Sequence, residues 1–276
     1  MPNVGHFTVA FLWFCIAANT VYSGVSDCDL KKSDQLSRQG RNSNALEALA
    51  GCGDDPVAMK TKGLIYHDLY APDSTVFYLK KAFEKGLHDD GLLTALAEAF
   101  LWKKDFRSAK DVMESVKDKG SASFLKVTAR KHEILGEFGD AVKAYDQAIA
   151  LEKLPYGTME RKAIILSWMK KFPESIAQFD AILNVKVVSR PLKIRCMIRK
   201  AEVQSWQNQF DLALAGLNKA LVMDKQNIDA RLVKAKVLEW KGDFKSAKPI
   251  YVEILKMQPT NDQAKLRLEK LAWVEE

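Results

Sequence analysis

The side chains with most chemical potential in this sequence are scattered acids, four histidines and four cysteines. His132, Glu133 and Glu137 stand close enough to suggest an acid/base cluster, and Asp54-Asp55 and Asp89-Asp90 are adjacent carboxylates that could share a proton. Both aspartate pairs lie beside Gly or Pro, where neighbouring carboxylates cap helices and face water. The two glutamates are expected on a charged exterior at a helix end. His6, His67, His88 and His132 have no second His or Cys at ligand spacing, so no metal site is predicted. There is no Gly-rich phosphate loop, HExxH, CxxC or GxSxG string. These spacings predict neither catalysis nor a cofactor.

The cysteines depend on compartment. Residues 1–26 contain no Lys, Arg, Asp or Glu, and Phe7–Ala18 is a nearly unbroken apolar run. As a helix that run rises about 18 Å, short of a bilayer core of about 30 Å. It predicts a signal peptide over residues 1–23, cleaved after Ser23 or alternatively after Ala18. No Lys or Arg precedes the run, and an uncleaved anchor over residues 7–25 is the alternative. The predicted location is the bacterial periplasm. Cys15 would leave with the leader, and Asp27 beside Cys28 argues against lipidation there. In an exported chain Cys28 and Cys52 are expected to pair, closing a loop of about 25 residues for roughly 3 kcal/mol. Two unpaired buried thiols are the alternative. Cys196 is expected to pack as a small apolar side chain.

With 47% apolar and 28% charged residues over 276 positions, the chain has the composition of a folded protein. Its net charge of +7 is modest. It favours acidic partners or an anionic surface, and nucleic acid is not predicted because no aromatic platform is interleaved with the basic residues. The densest basic cluster, Arg190, Lys193, Arg195, Arg199 and Lys200, surrounds a stretch read as a long loop, Asn184–Arg195, ended by Pro191. It reads either as a docking patch for an acidic protein, lipid head group or polysaccharide, or as a solvated loop; the second is preferred.

The elements that position these residues emerge from self-similarity. The unit A-x4-W-x3-F-x2-A occurs at Ala201, Trp206, Phe210 and Ala213, and recurs 34 residues later at Ala235, Trp240, Phe244 and Ala247. Ala163, Trp168, Phe172 and Ser175 carry it upstream, as do Ala129, Ile134, Phe138 and Ala141, then Ala97, Trp102, Phe106 and Ala109. The alanines at 235 and 247 let two helices approach, Phe244 and Tyr251 fill the wedge between them, Gly242 suits the turn and Pro259 ends the unit. This pattern resembles the tetratricopeptide repeat (TPR) family, strongly over residues 90–265 and more loosely over 29–89. There, "KKAFEKG" at residues 80–86 looks like the Sel-like subclass. The resemblance implies an all-α, right-handed superhelical solenoid of about seven helix–turn–helix hairpins. Its expected parts are divergent repeats over 24–89, the array over 90–261 and a capping helix over 262–276. Lys162, Lys200 and Lys234 stand where the family usually has Leu.

Such arrays bind partners on the face lined by the first helix of each hairpin. Inward slots counted by helix geometry supply Glu98, Lys126, Arg130, Glu133, Glu160, Arg195, Glu202, Lys236 and Glu239, a groove of mixed sign. The chaperone-binding class clamps a terminal carboxylate, but Arg130 has no matching Asn here. Trp102, Trp168, Trp206 and Trp240 follow the aliphatic stripe of their helices, such as Ala230, Val233 and Val237 before Trp240. They are expected first as a packing ladder, yet each lies about 40° from an inward slot and could reach the groove. The candidate groove is thus Glu98, Trp102, Arg130, Glu160, Trp168, Arg195, Arg199, Glu202, Trp206, Lys236 and Trp240. The expected function is a non-enzymatic scaffold binding a protein or peptide, without cofactor. The alternative is a polysaccharide-binding component of an exopolysaccharide-secretion system, since the turn also resembles periplasmic TPR regions of such proteins.

Overall fold

A computed structural model describes residues 28–272; the predicted leader, its cleavage position and Cys15 lie outside the described residues. The chain divides into two compact units, Met1–Asp118 and Lys119–Glu276. Unit 1 holds three hairpins: α1 (Leu30–Arg38) with α2 (Asn42–Glu47), α3 (Pro56–Asp68) with α4 (Pro72–Glu84), and α5 (Asp90–Trp102) with α6 (Phe106–Glu114). A 3-10 turn, Ala50–Cys52, follows α2. Unit 2 holds four: α7 (Ala122–Ile134) with α8 (Phe138–Leu151), α9 (Tyr156–Trp168) with α10 (Phe172–Leu183), α11 (Arg190–Trp206) with α12 (Phe210–Met223), and α13 (Ile228–Lys241) with α14 (Phe244–Met257). A final helix, α15 (Asp262–Lys270), packs on the last pair through Ala264 and Leu271. Among the described residues all regular structure is helical, and the architecture is the all-α helical solenoid that the repeat predicts.

Each hairpin closes around one pair of small side chains. On the first helix the slot is Ser33, Gly63, Ala97, Ala129, Ala163, Ala201 or Ala235; on the second it is Ala45, Thr75, Ala109, Ala141, Ser175, Ala213 or Ala247. All fourteen are buried. The polar ones on the second helix satisfy themselves: Thr75 donates to the Ala71 carbonyl at 2.8 Å, and Ser175 reaches across to the Ala163 carbonyl at 2.7 Å. Four residues after the second slot a large side chain fills the wedge: Leu49, Leu79, Met113, Tyr145, Phe179, Leu217 and Tyr251, all buried. The loosely matching N-terminal hairpins therefore follow the same scheme, with Gly63 where later units have Ala.

The turn obeys one geometry throughout. Gly40, Tyr70, Lys104, Gly136, Lys170, Asn208 and Gly242 occupy one slot, and every one has a positive φ, between 53° and 85°. The following amide closes the turn onto the carbonyl five residues back, as in Lys171 to Leu166 and Asp243 to Leu238. Three hairpins use glycine there; four hold a side chain in a conformation that costs about 1 kcal/mol. The adjacent carboxylates are structural. Asp55 and Asp89 cap α3 and α5 by accepting from Ala58 and Leu92, and Asp90 accepts from the amides of Lys117 and Asp118.

The four residues added between Phe172 and Phe210 do not form the long loop expected over Asn184–Arg195. Pro191 lies in the first turn of α11, which runs 17 residues against 13 in α9. Proline has no amide to lose at a helix start, so it opens this helix instead of ending a loop. The basic cluster consequently sits on one helix.

Gly63 tests the close approach: a Cβ there would overlap Cγ and Cδ2 of Leu79. Gly63→Ala is expected to destabilise by about 1–3 kcal/mol despite the better helix propensity of alanine, read as a lowered denaturant midpoint.

Candidate functional site

Unit 2 presents a groove on its first-helix face. Arg195, Arg199 and Glu202 of α11, Asp229 and Lys236 of α13 and Gln263 of α15 border a hollow of about 300 Å³, lined also by the apolar Ile198, Leu232 and Val233. Its charges are partly tied down. Arg195 holds Glu160 of α9 with two bonds of 3.0 and 2.8 Å, Arg199 bonds Glu202 at 3.0 Å, and Lys236 reaches Gln263 at 3.2 Å. Lys200 turns the other way, to Asp180 of α10, as Lys162 does to Asp146 of α8. Most of the basic cluster is thus neutralised within the fold. The groove itself has an apolar floor with both signs of charge along its rim.

Arg130 is not on that rim. It bonds Glu133 at 3.1 and 3.2 Å, and Glu133 also accepts from Tyr145 at 3.0 Å and from Arg161 of the next hairpin. Glu133 is 8% exposed, so the charged exterior expected for it is wrong: its partners make burial tolerable. Burial and the Glu133 charge push the Tyr145 phenol up to about 12. The arrangement recurs in the last hairpin, where Glu239 accepts from Tyr251 and from Arg267 of α15. Glutamate, tyrosine and arginine stand at the same offsets, 12 and 28 residues, in both. The hairpins between them replace the tyrosine with Phe179 and Leu217 and the glutamate with Ser167 and Ser205, whose hydroxyls bond their own helix. Lys126, the other inward slot, pairs with Glu152 at 2.7 Å.

Two tryptophans of unit 2 pack on the preceding hairpin without entering the core. Trp168 packs on Phe138 with ring centroids 5.8 Å apart, and Trp206 on Phe172 at 6.0 Å, each against the preceding hairpin. Yet Trp168, Trp206 and Trp240 remain 48%, 46% and 47% exposed. The stripe that begins with buried Ala230, Val233 and Val237 reaches the surface at its tryptophan.

Unit 1 contains Glu98 and Trp102. They meet His67, a residue the sequence alone did not single out. Its Nε2 lies 3.1 Å from Glu98, its Nδ1 3.7 Å from Asp68, and its ring stacks on Trp102 at 4.8 Å. Burial lowers its affinity for a proton, but hydrogen bonds and the charges of Asp68 and Glu98 outweigh that and raise it to about 9. In the first hairpin Cys28 and Cys52 are joined, with Cα atoms 4.5 Å apart. Cys196 is buried, and burial first, then Glu160, push its thiol up to about 12. Among the described residues no trio of His, Cys, Asp or Glu is placed to hold a metal, and no helix is long and apolar enough to cross a membrane.

No protein-family model matches the chain, and no curated protein matches it. Solved structures resemble it. The Cut9–Hcn1 hetero-tetramer of the APC/C aligns with a TM-score of 0.64 at 14% identity, over 91% of this chain and 47% of that one. This chain therefore spans about half the length of that neighbour. Pseudomonas aeruginosa PilF aligns at 0.57 with 16% identity, covering 79% and 99%, and a tetratricopeptide repeat protein of Parabacteroides merdae at 0.54 with 17%, covering 81% and 94%. At such identities the likeness is one of fold, and the fold is that of the tetratricopeptide repeat.

His67 gives unit 1 a pH signature. Its folded pKa lies above the unfolded value near 6.5, so its stabilisation is complete below about pH 6.5 and disappears as pH rises through about 9. The loss is at most on the order of 3 kcal/mol, and denaturant melts between pH 6 and 9.5 should show it in the native chain and not in His67→Gln.

Proposed function

We propose that this chain is a non-enzymatic scaffold of an exported bacterial compartment that receives a peptide segment of a protein partner on the first-helix face of unit 2. The groove between α11 and α13 carries the reading. It is open, floored by Ile198, Leu232 and Val233, and rimmed by Arg195, Arg199 and Lys236 against Glu202 and Asp229. An amphipathic segment with mixed charge would satisfy both floor and rim, while a single terminal carboxylate would meet Glu202 and Asp229 as well as the cations. Export is supported by the Cys28–Cys52 pair, which persists in oxidising compartments, and by the apolar run Phe7–Ala18. A photo-cross-linker placed at Arg199 or Lys236 in the full chain, produced in cells that export it, is expected to trap discrete protein partners. One at Lys219, exposed on α12, is not. Equal labelling at all three positions would remove the groove from consideration.

The half-exposed indoles of unit 2 favour a second reading, in which Trp168, Trp206 and Trp240 stack on the sugar rings of a polysaccharide. Acidic or acetylated glycans should then blue-shift or quench the tryptophan fluorescence, with the effect reduced in Trp206→Ala. A panel of such glycans that leaves the spectrum unchanged excludes this role.

A further inference from the structure

A different surface, on α3 and α4 of unit 1, has unusual chemistry. Tyr66 stacks parallel on Tyr78 with centroids 5.4 Å apart, and Phe77 meets Tyr78 edge-on at 5.0 Å. Phe77 is 52% exposed, and both tyrosines are half-buried. Two ammonium groups flank the rings: Lys62 lies 5.8 Å from the centre of Tyr78 and Lys81 4.6 Å from the centre of Phe77. Neighbouring lysines on this hairpin have carboxylate partners, Lys60 with Asp89, Lys80 with Glu84 and Lys85 with Asp54. Among the described residues Lys62 and Lys81 have none, only the aromatic rings.

The repeat explains what is missing. Lys62 occupies the slot of Lys162 and Lys200, which reach back to Asp146 and Asp180 on the second helix of the preceding hairpin. The equivalent of those aspartates in the first hairpin is Ala50, in the 3-10 turn beyond the end of α2. That helix has only six residues, against 13 in α3, so it runs along less than half of its neighbour. Tyr66, one turn after Lys62, matches Leu166 and Leu238, which are buried where Tyr66 is not. The short first hairpin thus leaves an aromatic face and a lysine without the acid that Lys162 and Lys200 find on the helix before them.

We propose that the Tyr66–Phe77–Tyr78 face docks an acidic segment of a separate protein. Carboxylates of that segment pair with Lys62 and Lys81, and an aromatic or aliphatic side chain lies on Phe77. Opposite charge at the rim of an aromatic anchor is the complement this surface requires. It is independent of the groove in unit 2, and either can hold without the other.

The test uses the full chain and a fluorescein-labelled peptide alternating Asp-Glu pairs with Phe, followed by anisotropy. Binding is expected to weaken with salt and to fall by about tenfold or more in the Lys62→Glu, Lys81→Glu double variant and in Phe77→Ala, with helicity unchanged by circular dichroism. No binding, equal binding by those variants, or equal binding of a Ser-for-acid peptide would overturn the proposal. Two further outcomes would also overturn it. Flotation on phosphatidylserine-rich vesicles that the double variant abolishes, with no peptide binding, would assign the face to a lipid surface. Dimerisation in sedimentation that Phe77→Glu dissolves would assign it to a second copy.

Discussion

Two helices joined by a three-residue turn bury a common face only if their axes come within about 8–10 Å, and side-chain size at the point of closest approach sets that distance. Here the constraint is met by Ser33, Gly63 and the five alanines from Ala97 to Ala235 on one helix, and by Ala, Ser or Thr on the other. The rest of each hairpin depends on it. The wedge residue, from Leu49 to Tyr251, is buried because the helices have already converged before it. The left-handed turn residue is held in its conformation because the packed helices leave no other path, which is how Tyr70, Lys104, Lys170 and Asn208 come to occupy it without being glycine.

Above that constraint the core is modular. Ile194, Ile198, Ala201, Leu217, Val233 and Val237 form one cluster spanning a hairpin and the first helix of the next, and Leu232, Ala235, Tyr251, Ile254, Ala264 and Leu271 form the following one. Each hairpin exposes apolar area until its neighbour arrives, so stability accrues by nearest-neighbour contacts. α15 covers the last hairpin in unit 2, and in unit 1 the Cys28–Cys52 bond ties down the first. The short α2 of that hairpin leaves Tyr66 and Phe77 in view.

Charge has mostly been drawn into the structure. Arg195 with Glu160, Lys200 with Asp180 and the glutamate–tyrosine–arginine sets at Glu133 and Glu239 join successive elements. Their net energetic worth is small beside apolar burial, but removing one partner would strand a desolvated charge. What remains for recognition is therefore selective: a mixed rim around an apolar floor, three half-exposed indoles, and two lysines on aromatic rings.

Helix spacing, the small slots from Ala97 onward, the buried wedge residue Tyr251 and the all-α class were legible in the sequence, because each is set by side-chain size at a fixed interval along one chain. The Cys28–Cys52 pairing was expected on the premise of export, from two cysteines that flank the first helical pair. The divergent slots Gly63 and Thr75 were hidden because packing constrains volume, and several residue types share it. Glu133 looked like surface because a one-dimensional pattern records its charge and not Tyr145 and Arg161, which lie 12 and 28 residues away. Likewise the strongest basic cluster turned out largely paired, and Lys62, one cation among many, lacks a carboxylate. Only the tertiary structure decides such matters, since whether a charge is spent or available depends on which groups lie within a few ångströms of it.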